Sequence, residues 1–167
     1  FVFTNTQKPS FRLVKLDSYS GLGLAGATFR IAQIEDGSHY LDRVTDTKGE
    51  INISDLEPGI YSVVEMDAPE GYVKDSREYH VELFPGQNSE LVVSNDRMPN
   101  LEILKTDAIT GKPVAGVTFT VKRVDSSTLT TVTSDGNGRC YLEKLMPGVY
   151  EIWEQSVPDG YLLNEAH

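Results

Sequence analysis

The sequence predicts an all-β protein built from two tandem β-sandwich modules. Three observations carry that prediction. The chain repeats itself at an offset of 90 residues, so that Asn5 falls on Asn95, Pro9 on Pro99, Lys15 on Lys105 and Asp17 on Asp107. Its apolar residues alternate with polar ones over short segments, the period of a half-buried strand. No segment holds helical periodicity for three turns.

The elements follow in order. "FRLVKLD" at 11–17 alternates strictly, with Phe11, Leu13 and Lys15 on one face. "ATFRIAQI" at 27–34 is rich in β-branched and aromatic residues and carries no helix start signal. "HYLDRVT" and "EINIS" flank the turn signal "DTKG", and "EPG" separates "EINIS" from "IYSVVEM" at 60–66. "EYHVELF" at 78–84 and "SELVVSN" at 89–95 complete the set. About seven such strands at this spacing make one sandwich. The second copy runs through "LEILKTD", "GKPVAGVTFTV" and "LMPGVYEIWEQSVPDGYL"; one residue is lost on the way, so Glu65 falls on Glu154.

The repeat frame predicts three parts. Residues 1–9 read as the last strand of a preceding module, 10–99 as a complete module, and 100–167 as a second module lacking its last strand. Phe1 in place of Met reads as a piece of a longer chain. The junction from Asn95 to Leu101 is short and holds Pro99, so the modules are expected to stack as a rod.

"SGLGLAG" at 20–26 contains the G-x-G-x-x-G spacing of a dinucleotide cradle, which needs a helix after it. A strand pattern follows instead, and the second copy has Pro113 where Gly23 stands. The segment therefore reads as a turn. A net charge of −10 without a Lys/Arg cluster argues against nucleic acid. No apolar run approaches the roughly 20 residues of a membrane helix, so no membrane insertion is expected. His39, His80 and His167 are scattered, no metal or cofactor is expected, and "SDGNG" at 134–138 aligns with the hairpin turn "TDTKG". The single cysteine, Cys140, excludes an intrachain disulfide; it aligns with Ile51 and is expected to be a small buried hydrophobe.

Three polar residues of the first module fall in phase with large apolar ones. Lys15 follows Phe11 and Leu13; Glu65 follows Tyr61 and Val63; Asn95 follows Leu91 and Val93. Lys105 and Glu154 repeat the pattern, and Asn5 repeats it after Phe1 and Phe3. A lone residue of this kind reads as a strand end reaching solvent. Three together can form a neutral, hydrogen-bonded cluster in the core, because an unpaired buried charge costs several kcal/mol. Burial lowers a lysine's pKa, and a neutral amine is a nucleophile. A protonated Glu that donates to the Asn carbonyl would polarise it for attack, with loss of ammonia.

The chain resembles the B-type repeat domains of the collagen adhesin of Gram-positive cocci, the SpaA-like or prealbumin-like pilin domains. The residues that carry the resemblance are "KLD" and "KTD", the "LAGATF" segment, "YSVVEMDAPEGY" and "YEIWEQSVPDGY", and the closing "VVSNDRMP". It implies reversed immunoglobulin-like sandwiches with first and last strands adjacent. It also implies an autocatalytic isopeptide cross-link between Lys15 and Asn95, with Glu65 as catalyst. Lys105 and Glu154 match in the second module, whose own Asn is absent; Asn164 lies only ten residues after Glu154 and is not a substitute.

The function expected from this is a structural stalk segment of a cell-wall-anchored surface adhesin or pilus protein, not an enzyme beyond one self-crosslinking turnover. Its partners would be neighbouring repeat modules. Head-to-tail strand exchange through residues 1–9, with Asn5 reaching Lys105 of a neighbour, is a further expectation. The alternative is an adhesin module that binds host matrix or glycan.

Overall fold

A computed structural model describes residues 1–35, 37 and 39–164. His167 lies outside the described residues. The chain forms strands β1 (Ser10–Asp17), β2 (Thr28–Gln33), β3 (Tyr40–Val44), β4 (Glu50–Ile53), β5 (Gly59–Asp67), β6 (Glu78–Leu83) and β7 (Asn88–Asn95), then β8 (Leu101–Leu104), β9 (Thr118–Arg123), β10 (Leu129–Thr133), β11 (Arg139–Leu142) and β12 (Tyr150–Ser156). No helix occurs among the described residues, so none could cross a membrane. The chain divides into two compact units, Phe1–Arg97 and Met98–His167.

In the first unit one sheet has the order β4-β1-β7 and the other β3-β2-β5-β6. The first and last strands are neighbours, and they run parallel, with Lys15 beside Val93 and Asp17 beside Asn95. Alternation drives this arrangement. Phe11, Leu13, Phe29, Ile31, Tyr61, Val63 and Val93 all point inward and are buried, each such side chain contributing roughly 1.5–3 kcal/mol on burial. The inward face of β1 continues past the apolar residues into Lys15 and Asp17, which are also buried.

In the second unit β8 pairs with β11, and β9 stands between β10 and β12. Its core gathers Val114, Val117, Phe119 and Cys140. Cys140 is buried opposite Ile103, as Ile51 is opposite Leu13, and burial pushes its thiol pKa up. Residues 1–9 form no strand; Gln7 accepts a hydrogen bond from Gly86 N at 2.7 Å, and Lys8 pairs with Glu57.

The glycine string is a turn. Leu16 and Gly23 form an isolated bridge, and a Cβ on Gly23 would fall 1.9 Å from the Lys48 carbonyl oxygen. The glycine lets the turn at 46–49 pack against this loop. In the second unit Thr106 bridges Pro113 at the same place. "SDGNG" is likewise a hairpin turn, its Asp135 carboxylate accepting from the amides of Asn137 and Arg139 at 2.8 and 2.9 Å. Trp153, whose alternation points it outward, is half-buried.

Candidate functional site

Three strands deliver the first cluster. β1 brings Lys15, β5 brings Glu65 and β7 brings Asn95, each from an inward-facing position. Their relative exposures are 0%, 1% and 2%, so all three are withdrawn from water. Lys15 Nζ donates to Asn95 Oδ1. Asn95 Nδ2 donates to Glu65 Oε1 at 2.8 Å, and the same oxygen lies 3.1 Å from Lys15 Nζ. One carboxylate oxygen therefore touches both nitrogens.

The shell around the cluster fixes it. Glu65 sits opposite Phe29, and a β-bulge follows it, because Thr28 pairs with Asp67 and Met66 is the extra residue. Bulges of this kind re-aim a neighbouring side chain. The second oxygen of Glu65 accepts from the Asp75 backbone N–H at 2.6 Å. Lys15 Nζ lies 5.4 Å from the centroid of the Phe29 ring. Desolvation lowers the Lys15 pKa against the opposing pull of Glu65. Asp75 is desolvated as well, yet hydrogen bonds from Arg77 and Tyr79 hold its carboxyl below the usual range. An open cleft lined by 73–77 and 94–96 reaches Asn95 from outside.

One detail differs from the sequence expectation. A Glu65 hydroxyl donating to the Asn95 carbonyl was expected; instead Oδ1 faces Lys15 and Nδ2 faces Glu65. The reason lies in the donors nearby. Lys15 Nζ donates and so takes the amide oxygen, which leaves Nδ2 for Glu65 Oε1, while the Asp75 N–H occupies Glu65 Oε2.

The second unit has two of the three parts. Lys105 Nζ contacts Glu154 Oε1 at 2.5 Å, and a bulge follows Glu154 as it follows Glu65. Asn164 N donates to Glu154 Oε2 at 2.9 Å. Asn164 is thus the counterpart of Asp75, which stands the same ten residues beyond its glutamate. The side chain of Lys105 is 23% exposed and lines a pocket with 106–109 and 160–162. Asn5 is exposed and lies outside any strand.

Sequence reasoning did not reach the Asp75 N–H, the bulge at Met66 or the Phe29 ring. The bulge left little signal, since "YSVVEMD" alternates unbroken and places Glu65 and Asp67 in the same phase. The Asp75 N–H had none, since any residue but proline supplies it.

The model of the SpaA prealbumin-like fold domain matches the chain twice, over residues 9–97 and 99–167. The chain belongs to this family. A search of curated protein sequences finds no match. Among solved structures, a streptococcal ancillary pilin is similar at 25% identity and a TM-score of 0.57, over 98% of this chain and 58% of that one. The Bacillus anthracis TIE protein is similar at 28% identity and a TM-score of 0.54, over 96% of this chain and 30% of that one. The shaft pilin SpaA of Lactobacillus rhamnosus GG shares the fold at 17% identity and a TM-score of 0.56, over 96% and 92%. The chain therefore spans less than two thirds of each of the first two relatives. As two SpaA-type prealbumin-like domains, it is similar to pilin proteins.

Proposed function

We propose that this chain is a stalk segment of a Gram-positive, cell-wall-anchored adhesin or pilus protein, whose first module locks itself with a Lys15–Asn95 isopeptide bond. The observation that carries this reading is the buried contact of Lys15 and Asn95 with one oxygen of Glu65. Lys15 and Glu65 hold one proton between them. With that proton on Oε1, the neutral Nζ attacks Cγ of Asn95. The Nζ–Cγ bond forms and the Cγ–Nδ2 bond breaks. Nδ2 takes the proton from Oε1 and leaves as ammonia through the adjoining cleft, and Oε1 regains a proton from Nζ, which ends as an amide N–H. Holding the groups in contact supplies part of the barrier reduction, up to roughly 7–11 kcal/mol for well-oriented reactants.

The bond closes a loop across 80 residues of sequence, which stabilises the fold by about 4–5 kcal/mol on a chain-entropy account. It also joins adjacent parallel strands at opposite ends of the module's sequence, so a pull on the chain would not extend the module. The test is the intact mass of the denatured chain. One ammonia below the sequence value in the wild type, with full mass for its own composition in Glu65→Ala, is the expected result; a wild type at the sequence value ends the reading.

A second reading concerns Lys105. Among the described residues β8 pairs on one edge only, whereas its counterpart β1 pairs on both, and residues 1–5 carry the alternation of 91–95. Residues 1–9 of one copy would add to β8 of another and bring Asn5 to Lys105. A covalent ladder under denaturing conditions, lost in Asn5→Ala and in Lys105→Ala, is the expected sign; monomer alone at high concentration refutes it. Host-matrix or glycan binding has less support, since Tyr19 is exposed but Trp153 is half-buried.

A further inference from the structure

Two residues beyond each cross-link partner stands a second, oppositely charged pair: Asp17 follows Lys15 on β1, and Arg97 follows Asn95 after β7. Asp17 is 1% exposed and takes no part in the chemistry above. Its carboxylate is fully engaged. Oδ1 accepts from the backbone N–H groups of Tyr19 and Ser20 at 3.0 and 2.7 Å, which shapes the turn after β1. Oδ2 accepts from Tyr72 Oη at 2.8 Å and from Arg97 Nε at 2.6 Å. One side chain therefore ties together the end of β1, the segment between β5 and β6, and the exit from β7.

The backbone closes around the same point. Ser18 N donates to Asn95 O at 3.0 Å, Val73 N donates to Asp96 O at 2.8 Å, and Tyr72 bridges Arg97. Asn95 itself pairs with Asp17 in the parallel register. The last residue of β7 is the one that must stay in contact with Lys15, yet strand ends are where pairing frays first. Asp107 in the second unit holds its own turn through Ile109 N and Thr110 N at 3.0 and 2.7 Å. The turn is thus common to both units, and the Asp17–Arg97 contact is the part that reaches across to the Asn-bearing strand.

We infer that Asp17, Tyr72 and Arg97 form an ionic latch that docks the end of β7 against β1 and so positions Asn95 for attack by Lys15. The latch rests on the cross-link reading above. The latch residues are positioning residues, since none touches the reacting atoms. In order, β7 docks, the latch closes over Asp17, and the covalent bond then makes the docking permanent.

The test follows bond formation after dilution of urea-unfolded, uncross-linked chain into native buffer, read as loss of ammonia by intact mass. The variants are Asp17→Asn, Arg97→Ala, Arg97→Lys and Tyr72→Phe. Asp17→Asn keeps an oxygen for the turn amides but removes the charge that faces Arg97. Each is also placed in an Asn95→Ala background, where circular dichroism and urea midpoints report whether the uncross-linked module folds. The expected result is cross-linking slowed by about tenfold in Asp17→Asn and Arg97→Ala under conditions where the Asn95→Ala counterparts remain folded, and most of the rate restored in Arg97→Lys. The wild type alone should slow in high salt, because the Arg97 side chain is 63% exposed and its pairing is screened. Equal rates across folded variants overturn the latch while leaving the bond intact. A slowing that only follows the loss of folded molecules, with no rescue by lysine, also overturns it. A wild type that loses no ammonia overturns the cross-link itself, and the latch with it.

Discussion

Lys15 and Lys105 occupy the same place in two copies of one fold. Each meets a glutamate from the strand opposite, each glutamate is followed by a bulge, and each is held by a backbone N–H ten residues on. The two differ in what closes over them. In the first unit β7 supplies Asn95 and seals the lysine at 0% side-chain exposure; in the second the lysine side chain stays 23% exposed beside a pocket. The Lys–Glu half of the site is thus a property of the five strands both units share. The full burial of the lysine goes with the elements the second unit lacks among the described residues, β7 with its asparagine foremost.

The largest expected effect separates the two glutamates. Glu65→Ala should remove the proposed cross-link, about 4–5 kcal/mol, and leave Lys15 buried without its carboxylate, a further cost of about 3–5 kcal/mol for breaking a buried pair. Glu154→Ala should cost much less, because Lys105 reaches water. Urea unfolding measures both, and alkylation of buried Cys140 reports the second unit separately. Similar losses in the two variants would break the comparison.

Asn95→Ala removes the proposed cross-link, together with the two buried hydrogen bonds of the Asn95 amide, and keeps the Lys15–Glu65 pair. Under force, the first unit of the wild type should release no length between residues 15 and 95. The variant should release those 80 residues, a contour of about 260–290 Å. A wild-type first unit that extends fully would contradict the proposed role in a stalk.

A smaller effect sharpens the contrast in burial. A water-soluble acylating reagent applied to the folded Asn95→Ala chain, in which Lys15 stays an amine, should modify Lys105 over time and leave Lys15 unmodified, mapped by peptide mass. Modification of Lys15 at the rate of Lys105 would mean that β7 does not seal the site.

The smallest effect concerns pH. The Ser20 N–H, then Arg97 and Tyr72, hold the Asp17 carboxyl below its ordinary value of 3.8. A lowered carboxyl pKa adds stability that is complete above the unfolded value and lost as pH falls through the folded one. The Asn95→Ala chain should therefore lose stability as pH drops below about 4, and Asp17→Asn should flatten part of that slope. An unchanged slope would show that Asp17 does not contribute to the acid limb.

The sequence alone determined the strands, because alternation with period two is a local property. All seven strands expected in the first unit form, within one or two residues of the expected ends. It also determined that Lys15, Glu65 and Asn95 share inward faces, since a residue's face follows from its parity along the strand. The repeat identified the second lysine and glutamate, and it separated Asn164 from Asn95 by spacing alone. Only the tertiary structure decided which atoms meet. Asn95 turns its oxygen to Lys15 and its nitrogen to Glu65 because three strands bring a donor and an acceptor to its two ends, and the Asp75 N–H that holds Glu65 comes from a loop no periodicity describes. Asp17 reads only as the end of the strand "FRLVKLD"; its contact with Arg97 spans 80 residues of sequence and exists only because β7 returns parallel to β1. Local patterning fixes faces, whereas contacts between distant side chains are set by the packing that brings the strands together.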